Sequence, residues 1–286
     1  MAILFNAAET RVELLAAPDV ELPDGPWSVG AFVRVHALAA SGQPSPIILS
    51  IDLTGSEESS LPYALRIFVT PAGVLRSQFR RDTGTTVSDI QSSSGYITAN
   101  GQWRLFVFSN LGDGGRNRKL FHGLMGATIS EVGAHTTGSA DANSSPSGYR
   151  IGAQRLDGGY TNYWPSEGVE FADSFLIHQA LSADAMNAML AGASIEDALT
   201  GAEYADVISD YRFHTAADLD DRARETTAVV HGQVVSAAHP YAVDVSAEPF
   251  LLRHNPRTNK VIPVLSSPTV TDIGAACVRP RVTKGF

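Results

Sequence analysis

The chain has 286 residues, enough for one large domain or two small ones and enough to bury most of its apolar surface. Its formal charge of −9, from 21 Lys/Arg against 30 Asp/Glu, excludes the clustered basic surface that nucleic-acid binding demands. No run of about 18 apolar residues is present, which excludes insertion as a membrane-spanning helix, and Cys277 stands alone, which excludes an intrachain disulfide or a cysteine zinc cluster.

The first 20 residues have no basic segment followed by an apolar core, so no secretory signal is expected. A first strand is expected within residues 3–15, and Pro23-Asp24-Gly25-Pro26 forms a turn before a strand at Trp27. PIILSIDL (Pro46 to Leu53) reads as a buried strand. Tyr63 to Thr70 and Val74 to Arg80, joined by Pro71-Ala72-Gly73, read as a hairpin. Arg81 to Ser94 is polar and reads as a loop with a short edge strand. Trp103 to Asn110 and Lys119 to Leu124 flank a glycine-rich hairpin tip. Tyr149, Ile151 and Ala153 alternate with Arg150, Gly152 and Gln154, the period of a strand buried on one face. In VEFADSFLIH, Val169, Phe171, Asp173, Phe175 and Ile177 are expected on one face and Glu170, Ala172, Ser174, Leu176 and His178 on the other, both at least partly covered.

Ser182 is an N-cap, Leu181 can staple onto Met186, and Gly192 stands where a C′ glycine ends a helix. A second short helix is expected from Ser194, with Asp197 at N3. Val207 to Phe213 and Thr226 to Val235 read as a further pair of strands.

The order of these pieces resembles a laminin-G-like domain of the concanavalin A-like lectin-glucanase superfamily. Arg150-Ile151-Gly152, Phe171-Ala172-Asp173 and Ala180-Leu181-Ser182 match its closing strands and helix. Trp27 to Val33 resembles its "FTISAWV" strand, and Gly101 to Phe108 its "GQWHHVAVT" strand. The resemblance covers roughly residues 1–235 and implies an all-β jelly-roll sandwich of two antiparallel sheets with one or two short helices. It departs from the family at Val207 to Val235, a pattern that commonly opens the domain and here follows the closing helix.

Residues 236–286 carry six prolines and six Lys/Arg against three acids, a net of +3, whereas the preceding residues carry 15 against 27, a net of −12. Proline removes ladder donors, so this segment reads as an extended arm with edge-strand pieces. Its dense apolar groups, Phe250, Leu251, Leu252, Val261, Ile262, Val264 and Leu265, are expected to anchor it to another chain or to the sandwich, with Arg253, Arg257 and Lys260 meeting the acidic body.

Three kinds of site are expected. The loop Leu156 to Trp164 joins an acid, an amide and aromatics (Asp157, Tyr160, Asn162, Tyr163, Trp164), the residue types that stack on a sugar and bond its hydroxyls; the alternative is that Tyr163 and Trp164 cover the sandwich end or meet another subunit. The resemblance implies calcium at a sandwich rim, for which Asp113, Asp218, Asp220 and Asp221 are hard oxygen donors, although the spacing matches no EF-hand and no other cofactor is expected. Catalysis is not expected: a retaining glycosidase needs two carboxyls about 5 Å apart, and the ExDxxE pattern of the glycoside hydrolases on this fold is missing. Asp173 matches an acid common to the non-catalytic family and is expected to make a structural hydrogen bond to a neighbouring loop.

A lectin-like sandwich ordinarily works outside cells, yet this chain shows neither export signal nor disulfide. A tailed-phage virion protein, assembled in host cytoplasm and released by lysis, meets both conditions. The expectation is therefore a non-enzymatic structural component of a virion, joined to other virion proteins or to copies of itself by residues 236–286, since extended arms bind by strand addition. The alternative is a carbohydrate-binding module that adsorbs to cell-surface glycan, and a polysaccharide-acting enzyme comes third.

Overall fold

A computed structural model describes residues 2–16, 22, 25–53, 64–80, 86–112, 117–132, 134–137, 146–156, 159–213, 219–224, 226–238, 251–255 and 260–264. By internal contacts the chain divides into two units, Met1–Tyr241 and Ala242–Phe286.

In the first unit the described strands are β1 (Ala2–Phe5), β2 (Arg11–Ala16), β3 (Trp27–Val35), β4 (Ile47–Leu53), β5 (Leu65–Val69), β6 (Leu75–Arg80), β7 (Thr86–Gln91), β8 (Trp103–Asn110), β9 (Arg118–Leu124), β10 (Ser130–Glu131), β11 (Ala134–Thr137), β12 (Pro146–Ile151), β13 (Gln154–Leu156), β14 (Gly159–Thr161) and β15 (Val169–Ile177). Three short helices follow, α1 (Ala183–Leu190), α2 (Ile195–Ala198) and α3 (Gly201–Tyr204), and then β16 (Val207–Arg212), β17 (Val229–His231) and β18 (Val234–Ala237).

The long strands pair antiparallel in two sheets. Sheet A has the order β10-β9-β8-β3-β15-β1-β18, with β16 beside the later part of β15. Sheet B has the order β11-β7-β6-β5-β4-β12-β2-β17. The expected all-β sandwich is therefore present. Val12, Leu49, Ile51, Leu65, Ile67, Phe79 and Tyr149 from sheet B meet Trp27, Val29, Val33, Phe106, Phe108 and Phe171 from sheet A in one core. The rings of Trp27 and Phe108 lie 5.5 Å apart, and those of Phe5 and Phe171 lie 5.0 Å apart, at centroid distances where tilted aromatic pairs attract.

The two ends of the first unit interlock. β1 belongs to sheet A and β2 to sheet B; β18 and β17 repeat the exchange, so each sheet gains one strand from each end. The corners touch where Asn6 donates its N–H to the Gln233 carbonyl at 2.9 Å, and the Gln233 N–H reaches the Thr10 hydroxyl oxygen at 3.2 Å. The region that departed from the resemblance thus completes the same sandwich. Within the stretch read as a loop with a short edge strand, β7 (Thr86–Gln91) pairs with both β6 and β11 and is not an edge.

β15 corrects the expected face assignment. Val169 and Phe171 enter the inter-sheet core, but Phe175 and Ile177 join a second core beneath α1, with Phe32, Leu105, Val107, Met186 and Leu190. The register against β3 shifts between Phe171 and Ser174, and one extra residue in a strand exchanges its two faces from there on. Ser174 consequently turns inward and meets the Tyr149 hydroxyl at 2.5 Å.

α1 forms as its caps predict. The Ser182 hydroxyl accepts the Ala185 N–H at 3.1 Å, and the Ala193 and Gly192 N–H groups return to Ala188 and Met189 at 3.0 Å each, a Schellman ending that Gly192 permits at φ 109°. α2 starts at Ser194 as expected. α3 carries a full capping box, Thr200 with Glu203, that the sequence reading passed over.

Sheet pairing continues past the expected boundary at Val235, since Ser236 and Ala237 pair with Ile3 and Ala2. In the second unit β19 (Leu251–Asn255) and β20 (Lys260–Val264) form an antiparallel hairpin, with Leu252 opposite Pro263. Of the expected anchors, Leu251, Leu252 and Arg253 lie on β19, and Lys260, Val261, Ile262 and Val264 on β20. Phe250, Arg257 and Leu265 lie outside the described residues.

Candidate functional site

Strand register gathers residues far apart in sequence into one line across sheet B. Successive Cα partners run Asp89, Gln78, Arg66, Ser50, Arg150 and Glu13, taken from β7, β6, β5, β4, β12 and β2. Neighbouring strands are about 4.8 Å apart, so the line spans roughly 24 Å. Its flanking residues, among them Leu65, Ile67, Phe79, Ile90, Tyr149, Ile151 and Val12, are all in the inter-sheet core, so alternation turns the line outward. A parallel line beside it places Arg76 of β6 opposite Phe68 of β5.

The members hold one another. Arg76 grips Asp89 with two nitrogens, one of them at 2.7 Å, and Gln78 donates to the same carboxylate at 2.9 Å. Arg66 donates to the Gln78 amide oxygen at 2.6 and 3.0 Å and to the Gln154 amide oxygen at 3.0 Å. The Arg66 guanidinium also lies 4.6 Å from the centre of the Phe68 ring, within cation–π range. Farther along, Arg150 pairs with the fully buried Asp52 and has its Nε 3.5 Å from Glu13. Arg76 keeps a third of its side chain exposed and Asp89 a fifth, so this end of the line meets solvent.

Two carboxylates of the line are held ionised. Burial pushes Asp89 up, but hydrogen bonds from Arg76 and Gln78 and the charges of Arg76 and Arg66 outweigh it and leave the group below its ordinary value. Burial likewise opposes Glu13, where the Tyr160 hydrogen bond and the charges of Arg150, His231 and Arg11 prevail in the same direction.

The loop expected to contact sugar folds beside this line. Its first part is not irregular: β13 and β14 form a hairpin, with Arg155 opposite Tyr160. Tyr160 donates its hydroxyl to Glu13 at 2.6 Å, and the Arg11 guanidinium lies 3.5 Å from its ring centre. Asn162, in the left-handed region at φ 63°, donates its side-chain N–H to the Ser45 carbonyl at 3.0 Å and so closes the turn. Tyr163 is half-buried, and burial raises its hydroxyl pKa. Asp157 lies outside the described residues.

Trp164 is a correction. Only 3% of it is exposed, it belongs to the inter-sheet core, and its indole N–H donates to the Ile47 carbonyl at 2.6 Å. Its ring face is spent on packing and offers nothing to a ligand.

The expected cation donors do not converge among the described residues. Asp220 accepts the Thr227 hydroxyl at 2.7 Å. One oxygen of Asp221 accepts the backbone N–H groups of Asp210, Ala223 and Arg224, although burial still raises this carboxyl to about 6. Asp113 and Asp218 lie outside the described residues, and no group of three metal-binding side chains occurs among those described. Asp173 lies opposite Arg212 on β16, whose guanidinium is disfavoured by burial but raised above its ordinary value chiefly by Asp210, with smaller help from Tyr204 and Asp173.

The sequence reading missed Arg66, Phe68, Arg76, Gln78 and Asp89. Their only local signal is alternation, polar residues at every second position of strands whose other face is apolar.

No protein-family profile matches the sequence, and no curated protein sequence matches it significantly. Solved structures do match in fold. A putative carbohydrate-binding protein of Bacteroides ovatus aligns at 10% identity over 85% of this chain and 62% of its own, with a TM-score of 0.51. The carbohydrate-binding module of a Ruminococcus gnavus sialidase, solved with α2,3-sialyllactose, aligns at 11% identity over 66% of this chain and 96% of its own, with a TM-score of 0.49. Domains LG4–5 of the mouse laminin α1 chain align at 16% identity over 64% and 43%, with a TM-score of 0.39. In fold the chain is an all-β sandwich of two antiparallel sheets, similar to that of the Bacteroides ovatus protein.

Proposed function

We propose that the first unit is a non-catalytic carbohydrate-binding domain and that the outer face of sheet B is its binding surface. The observation that carries this reading is the register-built line from Asp89 to Glu13. Phe68, Gln78, Ser50 and Arg150 are buried and form its floor, over which the partly exposed Arg66, Arg76 and Asp89 are fixed in advance by hydrogen bonds, with the partly exposed Tyr160 at the other end. Sugars present hydroxyls that both donate and accept, beside apolar ring faces, and a rigid surface of guanidinium and carboxylate with a tyrosine ring near one end complements them with little ordering cost. The fold shared with the Bacteroides ovatus protein is consistent with this. Against catalysis stands the state of the carboxylates: Asp89 and Glu13 are both held below their ordinary values, so neither is a proton donor near neutrality, whereas glycoside cleavage needs one carboxyl with a raised pKa. The test is a glycan array probed with the wild type, Arg66→Ala/Arg76→Ala and Trp164→Phe. Binding by the wild type, its loss in the double arginine variant and its retention in Trp164→Phe are expected; equal binding by wild type and double arginine variant refutes the site.

A second reading, assembly into a virion through residues 242–286, is favoured by one observation. Among the described residues β19 and β20 pair only with each other, and an isolated two-stranded hairpin is marginal in water until a further strand or surface completes it. Both readings hold together if the particle is carried to a glycan-coated surface. Deleting 242–286 is expected to leave the melting temperature of the first unit unchanged and to abolish incorporation into particles; unfolding of the sandwich on deletion refutes it.

A further inference from the structure

Sheet A carries a register line of its own on its outer face. Trp103, Arg34, Glu170, Leu4 and Val235 are successive Cα partners on β8, β3, β15, β1 and β18. Their strand neighbours Val33, Val35, Phe171, Ile3 and Phe5 are in the inter-sheet core, so this line faces away from it. α1 covers the adjoining part of the same face, over Phe32, Leu105, Val107 and Ala172, and Trp103 packs against the edge of that cluster while staying partly exposed.

The polar groups here are locked in place with functional atoms to spare. Glu170, only 8% exposed, accepts His36 Nε2 at 2.7 Å on one oxygen and Arg34 Nη1 at 3.3 Å on the other. Arg34 Nε donates to the Gly101 carbonyl at 2.7 Å. That leaves Arg34 Nη2 and His36 Nδ1 without a protein partner among the described residues, on side chains that are each 30% exposed. The Arg34 guanidinium stands 5.9 Å from the ring centre of Trp103. Trp103 is also the one partly exposed tryptophan of three, since Trp27 and Trp164 are buried.

We propose that this strip is a second carbohydrate-binding site, taking an uncharged sugar residue stacked on Trp103 and hydrogen-bonded by Arg34 and His36, which Glu170 holds in place. The pairing of Arg34 with Glu170 cancels charge within the strip, which suits a neutral ligand. The Arg34 Nη2 N–H groups donate, and in the neutral His36 ring, whose Nε2 proton goes to Glu170, Nδ1 accepts from a sugar hydroxyl. The indole supplies the apolar face. The site shares with the proposed sheet B surface only the class of ligand; the two lie on opposite sheets, so one domain can bridge two glycan chains and gain avidity.

The test uses the full chain titrated with lactose, cellobiose and maltose at millimolar concentration, following acrylamide quenching of tryptophan fluorescence. Trp103 dominates that signal because the other indoles are buried. At least one of these sugars is expected to protect the emission, in the wild type and equally in Arg66→Ala/Arg76→Ala. Trp103→Phe is expected to retain calorimetric binding at this site, and Arg34→Met to weaken it about tenfold, equivalent to roughly 1.4 kcal/mol. Protection that disappears in the double arginine variant overturns the second site while leaving the first. Unchanged quenching with all three sugars overturns the second site whatever the array shows for sheet B.

Discussion

Replacing Trp164 by alanine separates a core role from a ligand-stacking role for this residue. The side chain is 3% exposed, packs between the sheets and ties Ile47 at the start of β4 through a 2.6 Å hydrogen bond. Truncating a buried aromatic ring costs about 3 to 5 kcal/mol, and the Ile47 carbonyl, left buried without its donor, adds about 1 to 3 kcal/mol where water cannot reach it. A loss of about 4 kcal/mol lowers the melting temperature of a domain this size by about 10 °C. Trp164→Phe keeps most of the ring and loses the donor, so it should cost about 1 to 3 kcal/mol. Urea unfolding followed by far-ultraviolet circular dichroism, which does not depend on the deleted fluorophore, measures both. Glycan affinity of the folded fraction should not change. A loss below about 1 kcal/mol for Trp164→Ala, or intact stability with abolished glycan binding, refutes the core assignment.

Other consequences can be measured in the same way. Asp52→Asn leaves the buried Arg150 guanidinium without its principal counter-charge and should cost about 3 to 5 kcal/mol in urea unfolding. Gly152→Ala, at φ 87° with an added Cβ 2.1 Å from the Phe5 ring, should destabilise far more than Gly126→Ala, at φ 77° with open space around it. Two buried groups should oppose each other in acid. Burial, helped by Arg104, lowers His122 to about 4, so its contribution is complete above about pH 6.5 and is lost as pH falls towards 4. Burial raises Asp221 to about 6, so its effect runs the other way, and stability falls as pH rises from about 3.8 to 6. Denaturation between pH 4 and 6.5 should therefore show a shallow wild-type dependence, stability that rises on acidification in His122→Gln, and stability that falls on acidification in Asp221→Asn; parallel profiles for all three contradict these assignments.

Much of the sandwich was legible because its signals are local. The alternation of Tyr149 and Ile151, the turn at Pro71-Ala72-Gly73, the Ser182 cap and the Gly192 ending each act within a few residues, and each appears where expected. β15 was misread beyond Phe171 because both of its faces are apolar, so alternation carries no mark of the bulge that exchanges them. The binding face was harder still. Glu13, Ser50, Arg66, Gln78, Asp89 and Arg150 become neighbours only through the register of six strands. The aromatic loop was located correctly in sequence, but composition does not say which ring turns inward. Tyr160 reaches Glu13 at the surface line, whereas Trp164 is drawn into the core because the Ile47 carbonyl satisfies its indole N–H there.

The central claim, that the outer face of sheet B holds sugar, is tested most directly by following the arginine side-chain Nε–H resonances in a nuclear magnetic resonance titration with a glycan that binds the wild-type array. The account predicts saturable shifts at Arg66 and Arg76, with little change at Arg104, which is buried away from this face. Saturable glycan binding that leaves Arg66 and Arg76 unmoved would contradict it.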